Sequence, residues 1–226
     1  APGFMGQVRG GPAMAVIAAC TAFGATCGSS AATTATFGRA ALPELLRHRY
    51  ESGFATGTIA VGGTLGILIP PSVILVIYAI MVEQNISHLF MAAFVPGLLA
   101  TLFYLVTIFL VARRKPDVAP RHEPMARGER WKHAKAVWPV LLVAVLVVGG
   151  IYGGVFSPTE GAAVGTVALL LIGLAQRSLG WAALRTSIFN TASTTAMIFV
   201  ILMGSETFHA FLPLSQMPMQ TAAFIT

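Results

Sequence analysis

The groups that could bind a ligand in this sequence are uncharged oxygens, and they lie in two short stretches. The first stretch surrounds the turn 28–30 and carries six hydroxyl side chains: Thr26, Ser29, Ser30, Thr33, Thr34 and Thr36. The second ends at Pro70 and Pro71. Because a proline has no N–H to donate to the carbonyl four residues earlier in a helix, these two prolines release the oxygens of Gly66 and Ile67. Hydroxyl and carbonyl oxygens together are ligands that a hard cation prefers.

Pro70 and Pro71 interrupt an apolar run, 53–82, that is otherwise long enough to cross a bilayer. Glycines precede them and tolerate backbone angles that other residues resist. We therefore predict a discontinuous transmembrane helix with halves at 53–68 and 73–82. Exposed peptide groups inside a membrane are tolerated only against protein or a polar cavity, and secondary transporters bind ions and substrates at such breaks. The alternative is a proline kink in a helix that only packs against its neighbours.

Two shorter apolar segments, Gly11–Cys27 and 31–46, precede the broken helix. As helices they would each be about 22–26 Å long at 1.5 Å per residue, which is less than a bilayer crossing requires. The turn between them is too small for a loop outside the membrane. The sequence thus predicts a re-entrant helical hairpin, 11–46, with its tip inside the bilayer. The alternative is close packing through small residues, with the hydroxyls bonded to carbonyls of their own helix.

Composition identifies an integral membrane protein. Of the 226 residues, 56% are hydrophobic and 10% are charged, and mean hydropathy is +0.78, whereas about a quarter of a soluble protein is charged. The net charge of +6 does not indicate a nucleic-acid surface, because eight basic residues fall within one loop, 112–136: Arg113, Arg114, Lys115, Arg121, Arg127, Arg130, Lys132 and Lys135. Such a cluster places the loop in the cytoplasm. Cys20 and Cys27 are too few for a disulfide framework or a metal cluster, so we interpret them as packing residues.

The order of these segments divides the chain into three parts. Residues 1–82 would form a first repeat with the hairpin and the broken helix, residues 83–153 connecting helices with the basic cytoplasmic loop 112–136, and residues 154–226 the start of a second repeat. Ser157 and Glu160 are spaced as a capping box at a helix N-terminus. From Gln216 an apolar run enters from the outer side, opposite to the first hairpin. This arrangement predicts an inverted repeat.

Several motifs occur in an order that resembles a known family. They are 28–33 and Gly38-Arg39 in the hairpin, 62–72 with Tyr78 in the broken helix, then Leu89-Phe90, Pro96-Gly97, 149–152 and 156–165. In these motifs the chain resembles the large permease (M) subunit of tripartite ATP-independent periplasmic (TRAP) transporters over nearly its whole length. The family's chain is roughly twice as long, so an incomplete chain that does not transport alone is expected.

The resemblance implies an all-α polytopic protein of the bacterial cell inner membrane, with a re-entrant hairpin and a discontinuous helix inside an inverted-repeat elevator transporter. It also implies sodium-coupled import of organic acids, such as C4-dicarboxylates or sialic acid. A periplasmic solute-binding protein would deliver the acid, and a small permease (Q) subunit would be a second partner. Sodium would be the coupling ion, with no other metal and no cofactor. Nucleic acid is not an expected partner.

The resemblance further implies which residues bind sodium and substrate. A sodium site would lie between the hairpin tip and the broken helix, at Ser29, Ser30, Gly63, Thr64, Gly66 and Pro70. The substrate cavity would be bordered by Thr33, Pro71 and Ser72. The positive end of the half-helix that starts near Ser72 would favour a substrate carboxylate in that cavity.

Two other classes of protein remain open from the residues. An intramembrane enzyme would need a nucleophile with a base, or a metal motif such as His-Glu-x-x-His, and apart from His48 no histidine lies in the hairpin region. The chain is therefore not expected to be an enzyme. A non-transporting membrane scaffold or a passive channel subunit fits the helices equally well. Neither gives a reason for a broken helix opposite a hydroxyl-rich turn.

Overall fold

A computed structural model of the chain describes residues 10–120 and 127–216. Within these ranges it contains helices and no strand, in agreement with the predicted all-α class. The helices in chain order are α1 Gly11–Cys27, α2 Ser30–Ala40, α3 Leu42–Arg47, α4 Ser52–Leu68, α5 Val73–Met81, α6 Ile86–Arg114, α7 Arg127–Tyr152, α8 Pro158–Ala175 and α9 Trp181–Leu214. The chain divides into two compact units, Ala1–Leu169 and Leu170–Thr226.

The hairpin consists of α1 and a second limb that is divided into α2 and α3. Gly28 ends α1 with a φ of 62°, a left-handed conformation that favours glycine. Ser29 then caps α2, because its hydroxyl accepts a hydrogen bond from the amide of Ala32 at 3.3 Å. The second limb bends at Ala41, where α2 ends and α3 begins. A tight turn at 28–29 thus reverses the chain where the sequence predicts it.

Both ends of the hairpin lie at the same end of α6. Gly10, at the start of α1, is so close to α6 that a Cβ built on it would lie 2.9 Å from the Cβ of Ala112. After the second limb, the amide of Glu51 donates to the carbonyl of Val118 at 3.1 Å, in the turn that follows α6. Since α1 and α4 both contain 17 residues, the tip lies level with the far end of α4. The hairpin is therefore re-entrant in form.

The broken helix is formed by α4 and α5, which are bent by 44° across the break. The last regular bond of α4 runs from the amide of Ile69 to the carbonyl of Leu65 at 3.1 Å, and Pro70 and Pro71 have no N–H to continue it. Ser72 is the N-cap of α5. The two halves lie within one residue of the bounds that the sequence predicts.

The core of the first unit lies between α1 and α4. Ala13, Ile17 and Cys20 of α1 and Ala55 and Leu65 of α4 are fully buried. Cys20 Sγ lies against Gly62, in keeping with a packing residue, and the two cysteines are free thiols. Large hydrophobic side chains are exposed along the outer faces of the helices, as a surface that contacts lipid requires.

The basic loop is shorter than predicted. α6 continues to Arg114 and α7 begins at Arg127, so the connection covers 115–126 rather than 112–136, and its residues 121–126 lie outside the described part of the chain. The segment after Pro124 is rich in good helix formers, and α7 accordingly begins inside the stretch that the sequence assigned to the cytoplasmic loop. Pro139, which could have marked a boundary, lies inside α7 without ending it.

α8 begins with the predicted capping box. The amide of Ser157 donates to Glu160 Oε2 at 2.8 Å, and the amide of Glu160 donates to the Ser157 hydroxyl at 3.3 Å.

Among the described residues, α6, α8 and α9 are long and apolar enough to span a membrane, and the α4–α5 pair would be a fourth span. The second unit consists mainly of α9. The second hairpin, predicted to follow Gln216, lies outside the described residues.

Candidate functional site

The candidate site lies where the hairpin meets α4, and three glycines make their close approach possible. Gly62, Gly63 and Gly66 are all buried on α4. A Cβ built on Gly62 would lie 2.9 Å from Cys20 Sγ of α1, and one built on Gly63 would overlap the Thr34 side chain of α2. Both limbs of the hairpin thus approach the backbone of α4 more closely than a side chain would permit.

Gly66 lies between the two limbs. Its Cβ position is 2.6 Å from Thr33 Oγ1 and 2.8 Å from the carbonyl oxygen of Ser29, both on the second limb. On the other side, the Cβ position of Gly24 in α1 is 2.9 Å from the Cα of Gly66. Because Pro70 has no N–H, the carbonyl of Gly66 lacks its regular helical donor. The Ser29 carbonyl oxygen of the tip is thus packed against the residue of α4 whose own carbonyl has lost its helical donor.

The hairpin tip also contacts the break itself. The carbonyl of Gly28 accepts a hydrogen bond from the amide of Val73, the first residue of α5, at 3.3 Å. A Cβ on Gly28 would lie 2.6 Å from the carbonyl oxygen of Pro71. Only glycine satisfies both this contact and the left-handed backbone, so the tip and the break are fitted to each other.

The threonine hydroxyls at the tip bond mainly within their own helices. Thr33 is fully buried and donates to the carbonyl of Ser29 at 2.8 Å, and Thr26 donates to the carbonyl of Phe23 at 2.8 Å. The packing alternative raised from the sequence therefore describes these two residues well. By contrast, the side chain of Thr34 forms no hydrogen bond with the described residues, although it touches Gly63.

One of the two oxygens released by the prolines has a partner within the break. The hydroxyl of Ser72 donates to the carbonyl of Ile67 at 2.7 Å and accepts from the amide of Leu75 at 3.4 Å. Ser72 is only 1% exposed, so it stabilises the open helix from inside. Of the two released carbonyls, that of Gly66 is consequently the one that remains for a ligand.

The predicted sodium-site residues do not all face the same way. Ser29 and Ser30 lie over Gly66 and Gly63, since the carbonyl of Ser30 is 3.4 Å from the Cβ position of Gly63, and Pro70 is buried at the break. Thr64, in contrast, faces α6.

The hydroxyl of Thr64 donates to the carbonyl of Val61 at 2.7 Å and lies 3.3 Å from Tyr104 Oη. A sequence position next to Gly63 does not reveal this, because consecutive helical residues point about 100° apart.

A cavity of about 200 Å³ opens beside the tip and the break within the first unit. Of the predicted substrate-cavity residues, Pro71 and Ser72 line it, whereas Thr33 is enclosed between α2 and α4 and does not. Thr26 and Thr166 also line it, and none of the lining residues carries a charge. Its electrostatic field therefore comes from peptide and hydroxyl dipoles.

The N-terminal end of α5 borders this cavity with most of its amides already bonded. Besides Val73, the amide of Leu75 donates to the Ser72 hydroxyl and that of Val76 to the Ser72 carbonyl at 3.1 Å. The amide of Ile74 is the first-turn donor left for an anion. The positive end of the helix is thus available through one N–H rather than several.

Two residues of the site were not singled out from the sequence. Gly24 contacts Gly66, and its spacing of four residues from Gly28 of the predicted turn is a packing signal that could have indicated it. Thr166 reaches the cavity from α8, nearly a hundred residues further along the chain, and no local pattern indicates it.

Comparison with known proteins agrees with this architecture. Residues 1–226 match the family model described as "Tripartite ATP-independent periplasmic transporter, DctM component". The chain is 37% identical over 225 residues to the C4-dicarboxylate TRAP transporter large permease protein DctM of Pseudomonas aeruginosa, covering 98% of this chain and 52% of that protein. It is 34% identical to the ectoine/5-hydroxyectoine TRAP transporter large permease protein UehC of Ruegeria pomeroyi, covering 96% and 50%. It is 29% identical to the sialic acid TRAP transporter large permease protein SiaM of Vibrio cholerae, covering 99% and 52%.

The chain belongs to the DctM family of TRAP transporter large permeases. It is accordingly a protein of the bacterial inner membrane, and its family is one of transport proteins rather than enzymes. The chain spans about half the length of the relatives that it matches.

Proposed function

We propose that the complete permease carrying this chain imports organic acids across the inner membrane together with sodium ions. The observation that carries the proposal is the hydrogen bond from the amide of Val73 to the carbonyl of Gly28, which joins the hairpin tip to the far half of the broken helix. A helix that is merely kinked needs no such partner. A broken helix that faces a re-entrant hairpin encloses a backbone site of the kind that transporters use.

Sodium would bind between the tip and α4. The carbonyls of Ser29 and Ser30 and the released carbonyl of Gly66 lie in this region, and no charged side chain does. Neutral oxygens suit a small monovalent cation, whereas calcium sites in proteins rely on carboxylates. With its hydroxyl directed to Val61 and Tyr104, Thr64 would contribute only its backbone carbonyl.

The substrate would bind in the cavity beside Pro71 and Ser72. A carboxylate there could accept from the amide of Ile74 at the positive end of α5. The cavity volume of about 200 Å³ is below the roughly 300–1,000 Å³ of typical ligand sites, so the second half of the permease would complete it. The names of two relatives, for C4-dicarboxylate and for sialic acid, support an organic acid.

A periplasmic solute-binding protein and a small permease (Q) subunit would be the partners of the complete permease, with an elevator movement of the first-repeat elements. Sodium would be the only ion required, and no cofactor or enzymatic step is involved. A passive channel or a non-transporting scaffold is less well supported, because neither accounts for the tip that closes on the break.

The test replaces Pro70 and Pro71 together by alanine in the complete transporter, reconstituted in liposomes with its binding protein and a C4-dicarboxylate. The restored amides should let the helix close and withdraw the carbonyls of Gly66 and Ile67, so sodium-dependent uptake should be lost. Pro96→Ala, inside α6, is the matched control and should retain uptake. If the double variant kept wild-type sodium-coupled uptake, the break would be only a kink and the proposal would fail.

A second variant tests the tip alone. Replacing Ser29 and Ser30 by valine removes both hydroxyls, which we propose as sodium ligands beside the carbonyls, so it should lower sodium affinity with little loss of assembled protein. An unchanged dependence of uptake on sodium concentration would show that these hydroxyls only pack and cap α2.

A further inference from the structure

A second cavity, of about 220 Å³, forms a groove between α4 and α6 away from the candidate site. Its walls are apolar apart from threonine and tyrosine hydroxyls, and they include Gly53, Phe54, Gly57, Val61, Tyr104 and Ile108. A Cβ on Gly57 would meet nothing within 4 Å, and Val61 is 40% exposed. The groove thus opens to the surface of the first unit.

The groove ends at a basic edge. Thr107 lines it, and Arg114 follows seven residues later, which is nearly two turns, on the same face and about 10 Å along the helix axis. Arg113 and Lys115 flank Arg114, and all three are exposed. The ion pairs among the described residues join Glu44 to Arg47 and to His48, so Arg114 has no acidic partner there.

The opposite wall of the groove reaches the same edge with unpaired amides. The N-cap of α4, Glu51, makes no capping hydrogen bond, which leaves the first amides of the helix, including those of Gly53 and Phe54, without a side-chain acceptor. The bond from the amide of Glu51 to the carbonyl of Val118 holds the end of α6 beside the start of α4. One end of the apolar groove is therefore flanked by the helical position of Arg114 and by the positive end of α4.

We propose that this groove binds an anionic phospholipid. One acyl chain lies along Gly57 and Val61, and the phosphate lies between Arg114 and the amides of Gly53 and Phe54. A phospholipid carries a negative charge directly above an apolar chain, which matches the order of charge and apolar wall in the groove. A helix of a partner protein would fit the groove only if it carried an acidic group at the end beside Arg114.

An acidic side chain shares the edge and makes the proposal more specific. Glu51 Oε1 lies 3.5 Å from the Cβ position of Gly53, close to where the phosphate would bind. A phosphate bound there either displaces this carboxylate or is destabilised by electrostatic repulsion from it. Glu51→Gln should therefore strengthen lipid binding while leaving the groove unchanged.

The test is native mass spectrometry of the complete, delipidated permease titrated with phosphatidylglycerol, phosphatidylcholine of identical acyl chains, or free glycerol phosphate. Phosphatidylglycerol should bind most strongly. Arg114→Gln should weaken it about fivefold, because one basic residue near the membrane surface contributes about 1 kcal/mol. Arg113→Gln removes the same charge at the same depth on another face and should have a smaller effect.

A substitution that fills the groove tests the proposal independently of the charged residues. Gly57→Leu places a side chain where the acyl chain would lie, and Gly38→Leu adds the same side chain at another open helical position. Loss of phosphatidylglycerol binding by the first variant alone supports the proposal. The proposal would be overturned by equal effects of the two arginine variants or by unchanged lipid binding in Gly57→Leu. It would also be overturned if glycerol phosphate competed fully, or if the complete permease released a protein subunit instead of lipid.

Discussion

The carbonyl oxygen of Gly28 lies 3.3 Å from the amide nitrogen of Val73 and accepts its hydrogen bond. This bond links the tip of the hairpin to the start of α5, across a break at which α4 can no longer continue. It supplies a partner for one amide that the start of a helix leaves unpaired. The hairpin and the second half of the broken helix are consequently coupled, and a change at the tip should affect the break.

Gly28→Ala should destabilise the permease and abolish uptake. The left-handed backbone at a φ of 62° is unfavourable for alanine, and the new Cβ would lie 2.6 Å from the Pro71 carbonyl oxygen. Strain of this kind costs about 1–3 kcal/mol. Thermal unfolding of the purified complete permease in detergent measures the loss. Gly38→Ala, with open space around its Cβ position, should be close to wild type, and equal stability of both variants would contradict the contact at the tip.

Gly63→Ala should be rescued in part by Thr34→Ala, because the atom nearest to the new methyl group is the hydroxyl of a side chain that can be removed. Gly66→Ala should not be rescued by Thr33→Ala, since the Ser29 carbonyl oxygen remains 2.8 Å from the new Cβ. Coupling energies of about 0.5–3 kcal/mol are typical of residues in contact. Two double-mutant cycles on thermal stability measure them.

The opposite pattern of rescue would mean that α2 meets α4 in a different register. In that case Gly66, rather than Gly63, would face the side chain that can be shortened.

Ser72→Ala should weaken the folded state although the substitution is small. It leaves the carbonyl of Ile67 without its hydrogen-bond donor and removes the side chain that caps α5, at a residue that is only 1% exposed. An unsatisfied buried polar group costs about 1–3 kcal/mol. Denaturation of the complete permease measures the difference, with the exposed Ser52→Ala as the matched control. Equal stability of the two variants would mean that the break is held open without this hydroxyl.

The charge pattern predicts the orientation of the chain in the membrane. A cysteine at Asp117, in the turn after α6, should be protected from an impermeant thiol reagent in intact cells, and one at Glu83, between α5 and α6, should react. Both positions are exposed, and Cys20 and Cys27 would first be replaced by alanine. Labelling at residue 117 but not at residue 83 would mean that the chain has the opposite orientation to the predicted one.

The features that the sequence determined by itself depend on local chemistry. The break follows from Pro70 and Pro71, whose missing N–H groups act wherever the helix lies. The capping box of Ser157 and Glu160 is local for the same reason, since both partners are three residues apart. The membrane class and the hairpin follow from hydropathy and from segment length, which are sums over neighbouring residues.

Only the tertiary structure decided which of the polar residues face one another. Thr64 contacts Tyr104 rather than the hairpin tip, Thr33 is enclosed instead of lining the cavity, and Thr166 joins that cavity from α8. Each of these outcomes depends on the rotation of one helix against another, which is set by packing at glycines such as Gly66 and not by any residue's own neighbours in the chain. A local pattern specifies where a helix begins and breaks, whereas the direction of its side chains is settled by long-range contacts.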